Sequence, residues 1–140
     1  WIAWGGPERV FTDEGVTTVQ YRAVDFRGNA EEARSLTVRI DRTAPRPRPL
    51  TAVTVRKGRK ARLRYRVDDL LSPQATVVLK VRKGARIVKT LALGTRPTGC
   101  DLAASWRCRL ARGRYSWSVY ATDLAGNAQT ATVTKRLIVK

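Results

Sequence analysis

Three pairs of neighbouring carboxylates, Asp13-Glu14, Glu31-Glu32 and Asp68-Asp69, are the first places to seek acid–base chemistry in this chain of 140 residues. Acid–base work on one bond needs two carboxyl groups converging on it from opposite sides. Adjacent residues on extended backbone point to opposite faces, so such pairs do not converge. The chain has no histidine, which removes the usual general base, the Ser-His and Cys-His nucleophile pairs and the commonest zinc ligand. No Gly-rich phosphate loop is present either. The expectation is a chain without catalytic residues.

The two cysteines, Cys100 and Cys108, are too few for zinc without histidine help. They lack the CxxC spacing that lowers a thiolate pKa. Their separation suggests a local disulfide across a loop or hairpin, contributing roughly 2–3 kcal/mol at best. Free buried thiols are the alternative. A disulfide would favour an extracytoplasmic home.

The pattern A-x-D-x-x-G-N-A occurs twice, at residues 23–30 and 121–128. One reading is Ca²⁺ ligation by Asp25 or Asp123 with neighbouring carbonyls. Ca²⁺ takes six to eight oxygens, and one Asp per loop is thin for that. The other reading is a tight turn, with the Asp carboxylate accepting backbone N–H bonds and Gly and Asn tolerating positive φ. The turn is the preferred reading, and no cofactor is expected.

Lys and Arg number 28 against 11 Asp and Glu, a net charge of +17. Arg62, Arg64 and Arg66 sit on one expected strand, Lys80 and Arg82 on the next, and Arg107 and Arg109 on another. Each set alternates with apolar residues, as on a solvated sheet face. Such a surface keeps a module soluble. It also offers these seven residues as a polyanion-binding face for teichoic acid, acidic polysaccharide, anionic lipid or nucleic acid. Charge of one sign names no partner, and specific nucleic-acid recognition is not expected. Sugar stacking would need two or more aromatic residues exposed on one face. Trp106 and Trp117 fall on an inward register and Tyr120 on an outward one, whereas Trp1 and Trp4 cannot be placed.

The elements that must position these residues declare themselves by repetition. Residues 15–30 (GVTTVQYRAVDFRGNA) match residues 113–128 (GRYSWSVYATDLAGNA): Gly15 falls on Gly113, Asp25 on Asp123 and Asn29 on Asn127, at one offset of 98. A period near a hundred residues is the length of one β-sandwich module. Residues 17–23 alternate, with Val19, Tyr21 and Ala23 on one side, and residues 35–40 return as a second strand. A lone hairpin is marginal in water, so residues 1–41 are expected to be the closing strands of a truncated module, and the chain an excerpt from a longer protein.

Residues 42–50 (RTAPRPRPL) carry Pro45, Pro47 and Pro49 and are predicted to be a semi-rigid polyproline linker. Residues 51–140 are predicted to be one complete sandwich of seven short strands. Leu63, Tyr65 and Val67 point inward, followed by Val77, Leu79 and Val81, then Trp106, Cys108 and Leu110, and then Tyr115, Trp117, Val119 and Ala121. Gly113-Arg114-Tyr115 resembles a tyrosine corner, in which the hydroxyl bonds back to nearby backbone. The fold class is therefore all-β, an Ig-like or fibronectin III-like antiparallel sandwich. No transmembrane run appears in the sequence.

The segment Y-R-A-V-D-x-x-G-N (Tyr21 to Asp25, then Gly28-Asn29), followed by Ile40-Asp41 and Thr43-Ala44-Pro45, resembles the end of a bacterial Ig-like repeat of secreted and cell-surface proteins. Residues 77–93 and 113–127 are similar to the Ig-like domain of the flagellar hook-cap type. The resemblance implies an extracellular location and supplies no catalytic residues. The leading functional expectation is a non-catalytic pair of modules serving as spacer or presentation stalk in a larger secreted or cell-surface protein, with neighbouring domains of the same polypeptide as partners. The alternative is a basic binding module for anionic cell-envelope polymers or polysaccharide, accessory to an enzyme domain elsewhere in that protein.

Overall fold

The computed structural model describes residues 9–140. Trp1, Ile2, Trp4 and the turn signal Gly5-Gly6-Pro7 lie outside the described residues. The chain forms two compact units, residues 1–42 and 43–140, and the described residues are all-β, with no helix among them.

In the first unit, β1 (Gly15–Tyr21) pairs antiparallel with β2 (Arg34–Ile40), running from Gly15↔Ile40 to Tyr21↔Arg34. Thr and Val favour extended backbone, and the alternation gives the pair two distinct faces. Val19, Val38 and Ile40 are half-buried, whereas Tyr21, Leu36 and Val16 are about half exposed. A two-stranded ribbon has no second layer to cover its apolar side.

The second unit has two sheets. One holds β4 (Val53–Val55), β10 (Thr134–Val139), β9 (Gly113–Asp123), β6 (Gln74–Lys83) and β7 (Arg86–Pro97), in that spatial order. The other holds β3 (Arg46–Pro49), β5 (Lys60–Asp68) and β8 (Asp101–Arg107). Period-2 patterning turns Ala61, Leu63, Tyr65 and Val67 of β5 toward Val77, Leu79 and Val81 of β6, Trp117 and Val119 of β9, and Leu137 of β10. These side chains are all but wholly buried. The result is the expected two-layer β-sandwich.

Two expectations are corrected here. Residues 46–49 are not a free linker: they form β3, an edge strand with Arg46↔Asp68 and Arg48↔Arg66 in register. The Leu50 N–H donates to the Arg64 carbonyl at 2.9 Å, so even-numbered residues turn their N–H groups toward β5. Pro47 and Pro49 fall on the odd positions, where a missing donor faces away from the partner, and their rings are buried. Alternate proline is thus compatible with an edge strand, which adds an eighth strand to the seven expected.

The second correction concerns Cys100 and Cys108, which are free thiols. They flank β8, one just before it and one just after. The extended strand Asp101–Arg107 lies between them and spans roughly 20 Å, against the 4.4–6.8 Å a disulfide spans. The sequence separation that suits a hairpin is spent here on a straight strand. Cys108 is buried and serves the core as a small apolar side chain.

Candidate functional site

The repeated turn is built from its own residues. In the first unit, Asp25 Oδ1 accepts from the Arg27 and Asn29 N–H groups at 2.9 Å each, and Asp25 Oδ2 accepts from Asn29 Nδ2 at 2.8 Å. In the second, Asp123 Oδ1 accepts from the Asn127 N–H and Oδ2 from Asn127 Nδ2, both at 2.8 Å. The Gly28 and Gly126 N–H groups donate to the Asp25 and Asp123 carbonyls, with φ of 86° and 93° that only glycine adopts freely. Even the outer bonds correspond. The Ala23 N–H donates to Glu31 Oε1 and the Ala121 N–H to Gln129 Oε1.

Both oxygens of each candidate Ca²⁺ ligand are thus engaged inside the turn. The Asn29 side-chain hydrogen bond, with the backbone N–H groups beside it, holds the Asp25 carboxyl below its usual range. Asp123 differs in being buried, and a carboxylate oxygen of Asp69 lies within 4.8 Å of one of its own. Asp69 Oδ1 accepts from the Leu71 and Ser72 N–H groups, and so shapes the loop between β5 and β6.

Six of the seven cations singled out in the sequence divide between two opposite faces, and Arg109, expected on a strand, lies in a loop. Arg62, Arg64, Arg66 and Arg107 lie on the outer face of the three-stranded sheet. Lys80 and Arg82 lie on the outer face of the five-stranded sheet, and Arg109 in the loop between β8 and β9. Most have intramolecular partners. Arg66 Nε meets Asp68 at 2.6 Å, Arg48 meets the same carboxylate at 3.2 Å, and Arg64 and Arg66 both reach Asp101 at 3.5 Å. The Asp68 bond leads in holding the Arg66 guanidinium charged. Arg107 Nε donates to the Gly58 carbonyl at 2.8 Å.

On the other face, Lys80 Nζ sits 4.2 Å from the centre of the Tyr120 ring, and Arg82 donates to the Tyr120 hydroxyl at 3.2 Å. Burial pushes that phenol up, but the Arg82 hydrogen bond and the neighbouring cations bring it below its usual value. Tyr120 therefore anchors cations and is not a bare stacking platform. Trp117 is fully buried and Trp106 half-buried, as their register requires.

Net charge is unequally shared in a way composition alone conceals. Residues 1–42 hold six Arg against seven Asp and Glu, and residues 43–140 hold 22 Lys and Arg against four Asp, leaving +18 on the second unit. No helix among the described residues is long and apolar enough to cross a membrane.

No family model matches the chain, and no curated protein does. Among solved structures, it is similar to a crystal structure of an engineered protein, at 19% identity and a TM-score of 0.47. That likeness covers 69% of this chain, which spans about 20% of the other's length.

Proposed function

We propose that the chain is a non-catalytic pair of Ig-like modules acting as a load-bearing spacer in a larger secreted or cell-surface bacterial protein. The observation that carries this reading is the pairing of the second unit's early and final strands. β4 runs parallel to β10, with Leu137↔Val53, Ile138↔Thr54 and Val139↔Val55 in register. The Lys140 N–H donates to the Val55 carbonyl and the Lys57 N–H to the Lys140 carbonyl, both at 2.9 Å. Tension applied through the two ends of this unit enters at β3 on β5, and once β3 yields it pulls the parallel neighbours β4 and β10 in opposite directions along their axes. Every bond between them is then loaded in shear together, rather than broken one after another.

The Ig-like part of the reading is supported by Tyr115, whose hydroxyl donates to the Ala111 carbonyl at 2.8 Å, the bond of a tyrosine corner. The repeated turn at one offset supports a tandem of like modules. Secretion follows from the resemblance to bacterial repeats. Single-molecule pulling on the full chain tests the load-bearing role. Pulling through the chain ends should unfold the second unit at a markedly higher force than pulling on Gln74 and Pro97, which peels edge strand β7 from β6 pair by pair. Equal forces for the two geometries would remove the basis for the spacer.

A further inference from the structure

The four acidic side chains of the second unit all sit at one end of the sandwich. Asp68 and Asp69 follow β5, Asp101 opens β8 and Asp123 closes β9, against Ala75 at the start of β6. The opposite end has none. There the turn 56–59, the segment 107–114 after β8 and the last residues of β10 come together, and residues 55–60, 107–114 and 139–140 hold nine Lys and Arg with no Asp or Glu. Arg56, Lys57, Arg112 and Lys140 line a surface hollow of about 430 Å³ there, and all four are exposed. None of them takes part in the ion pairs found among the described residues.

Main-chain bonds hold this hollow in shape. The Arg59 N–H donates to the Arg56 carbonyl at 3.0 Å, closing a turn that Gly58 enters at φ 85°. The Gly58 N–H donates to the Cys108 carbonyl at 2.6 Å, and the Cys108 N–H returns to the Arg59 carbonyl at 2.9 Å. The Lys57 N–H reaches the Lys140 carbonyl. The backbone that carries Arg56, Lys57 and Lys140 is therefore held before any ligand arrives, so binding has only their side chains left to order.

We propose that this end of the second unit binds a linear phosphate polymer, with Arg56, Lys57, Arg112 and Lys140 contacting successive phosphate groups. Guanidinium forks match phosphate oxygens two at a time, and Lys supplies compact charge between them. A polymer fits better than one phosphate because cations continue past the hollow, through Lys60 and Arg107, which face each other across β5 and β8. A nucleic acid fits less well. Base stacking needs exposed aromatic rings, and of the two aromatic residues beside this end Tyr115 is buried with its hydroxyl bonded to Ala111, while Trp106 is half-buried and packed against the core. This site is independent of the load-bearing role and stands or falls by its own test.

The test is calorimetric titration of the full chain with inorganic polyphosphate, orthophosphate and a single-stranded oligonucleotide of equal charge. The triple variant Arg56→Gln, Lys57→Gln, Arg112→Gln should bind polyphosphate roughly 100-fold more weakly, the scale of three cations withdrawn from an anionic surface. A control of equal net charge, Arg62→Gln, Lys89→Gln, Arg136→Gln, removes exposed cations from the sheet faces and should stay within about threefold of the parent. Circular dichroism and melting temperature confirm that both variants fold. Binding should collapse between 0.1 M and 1 M salt, as the screening length shrinks from about 10 Å to about 3 Å. Equal losses in the two variants, orthophosphate binding as tightly as the polymer, or tighter binding of the oligonucleotide would each overturn the proposal.

Discussion

Whether residues 46–49 are a tether or a strand decides whether tension reaches the second unit through a semi-rigid spacer or directly into its sheet. One backbone atom separates the two. As a strand, β3 uses the N–H of Arg48 toward β5 and leaves the nitrogens of Pro47 and Pro49 outward. Arg48→Pro removes the inward donor, and Arg48→Ala serves as its reference. The Ala variant loses only the Arg48–Asp68 pair, whose side chains are 54% and 34% exposed, so it should cost about 0–1 kcal/mol. Asp68 keeps Arg66 at 2.6 Å, which softens that loss further.

The Pro variant loses the same pair and also a ladder hydrogen bond, about 0.5–1.5 kcal/mol, and leaves the Arg66 carbonyl without its partner, about 1–3 kcal/mol if water cannot reach it. Against this stands a gain of about 0.4–1 kcal/mol from stiffening the unfolded chain. The net expectation is about 1–3 kcal/mol beyond the Ala variant, or roughly 4–8 °C of melting temperature per kcal/mol in a unit of this size. On a polyproline tether the sign reverses, because a further proline only pre-sets the conformation already present. Urea denaturation of the full chain, followed by tryptophan fluorescence, reads the difference. An Arg48→Pro variant as stable as Arg48→Ala, or more so, would refute β3.

Other consequences are simpler to measure. Leu79 is fully buried on central strand β6, so Leu79→Ala should cost about 2–5 kcal/mol in denaturant, whereas Leu36→Ala, at a side chain 55% exposed, should stay within about 0.5 kcal/mol. Native protein treated with a thiol reagent should label promptly at half-buried Cys100 and only on unfolding at Cys108, and a reductant should leave the melting temperature unchanged. The Asp25 carboxyl lies below its unfolded value of about 3.9. Its contribution to the turn is therefore present above that pH and lost as pH falls through the lower folded pKa. An NMR titration should show this midpoint, and Asn29→Ala should move it back up.

The core of the second unit was legible because apolar alternation reports burial directly. Every inward position assigned to the expected strands at 61–67, 75–82 and 115–123 is buried. Strand β8 was misframed for a physical reason. Its inward side chains Leu102 and Ala104 are modest in size and half-buried, so its signal was weaker than that of Trp106, Cys108 and Leu110 beside it, and the expected strand slid toward them. β3 was missed because proline is disfavoured in strands generally, and the exception depends on which nitrogens face a partner. Six of the seven expected sheet-face cations do lie on outer faces, Arg109 being in the loop after β8, but which of them meet a carboxylate depends on cross-strand neighbours such as Arg66 and Asp101, 35 residues apart. The hollow at Arg56 and Arg112 joins segments more than 50 residues apart, and no local pattern marks it.

The repeated turn shows how local chemistry can be mistaken for a binding site. Its bonds all close within nine residues, so the pattern and the one residue after it suffice to build it. The two copies demonstrate this: Asp25 is exposed and Asp123 is buried, yet each carboxylate receives the same Asn side chain at 2.8 Å. A pattern that forms identically in water and under cover is specified by backbone geometry rather than by a ligand. Its recurrence therefore marks where each module turns. Function has to be sought where the two units differ, and beyond their architecture they differ most in charge.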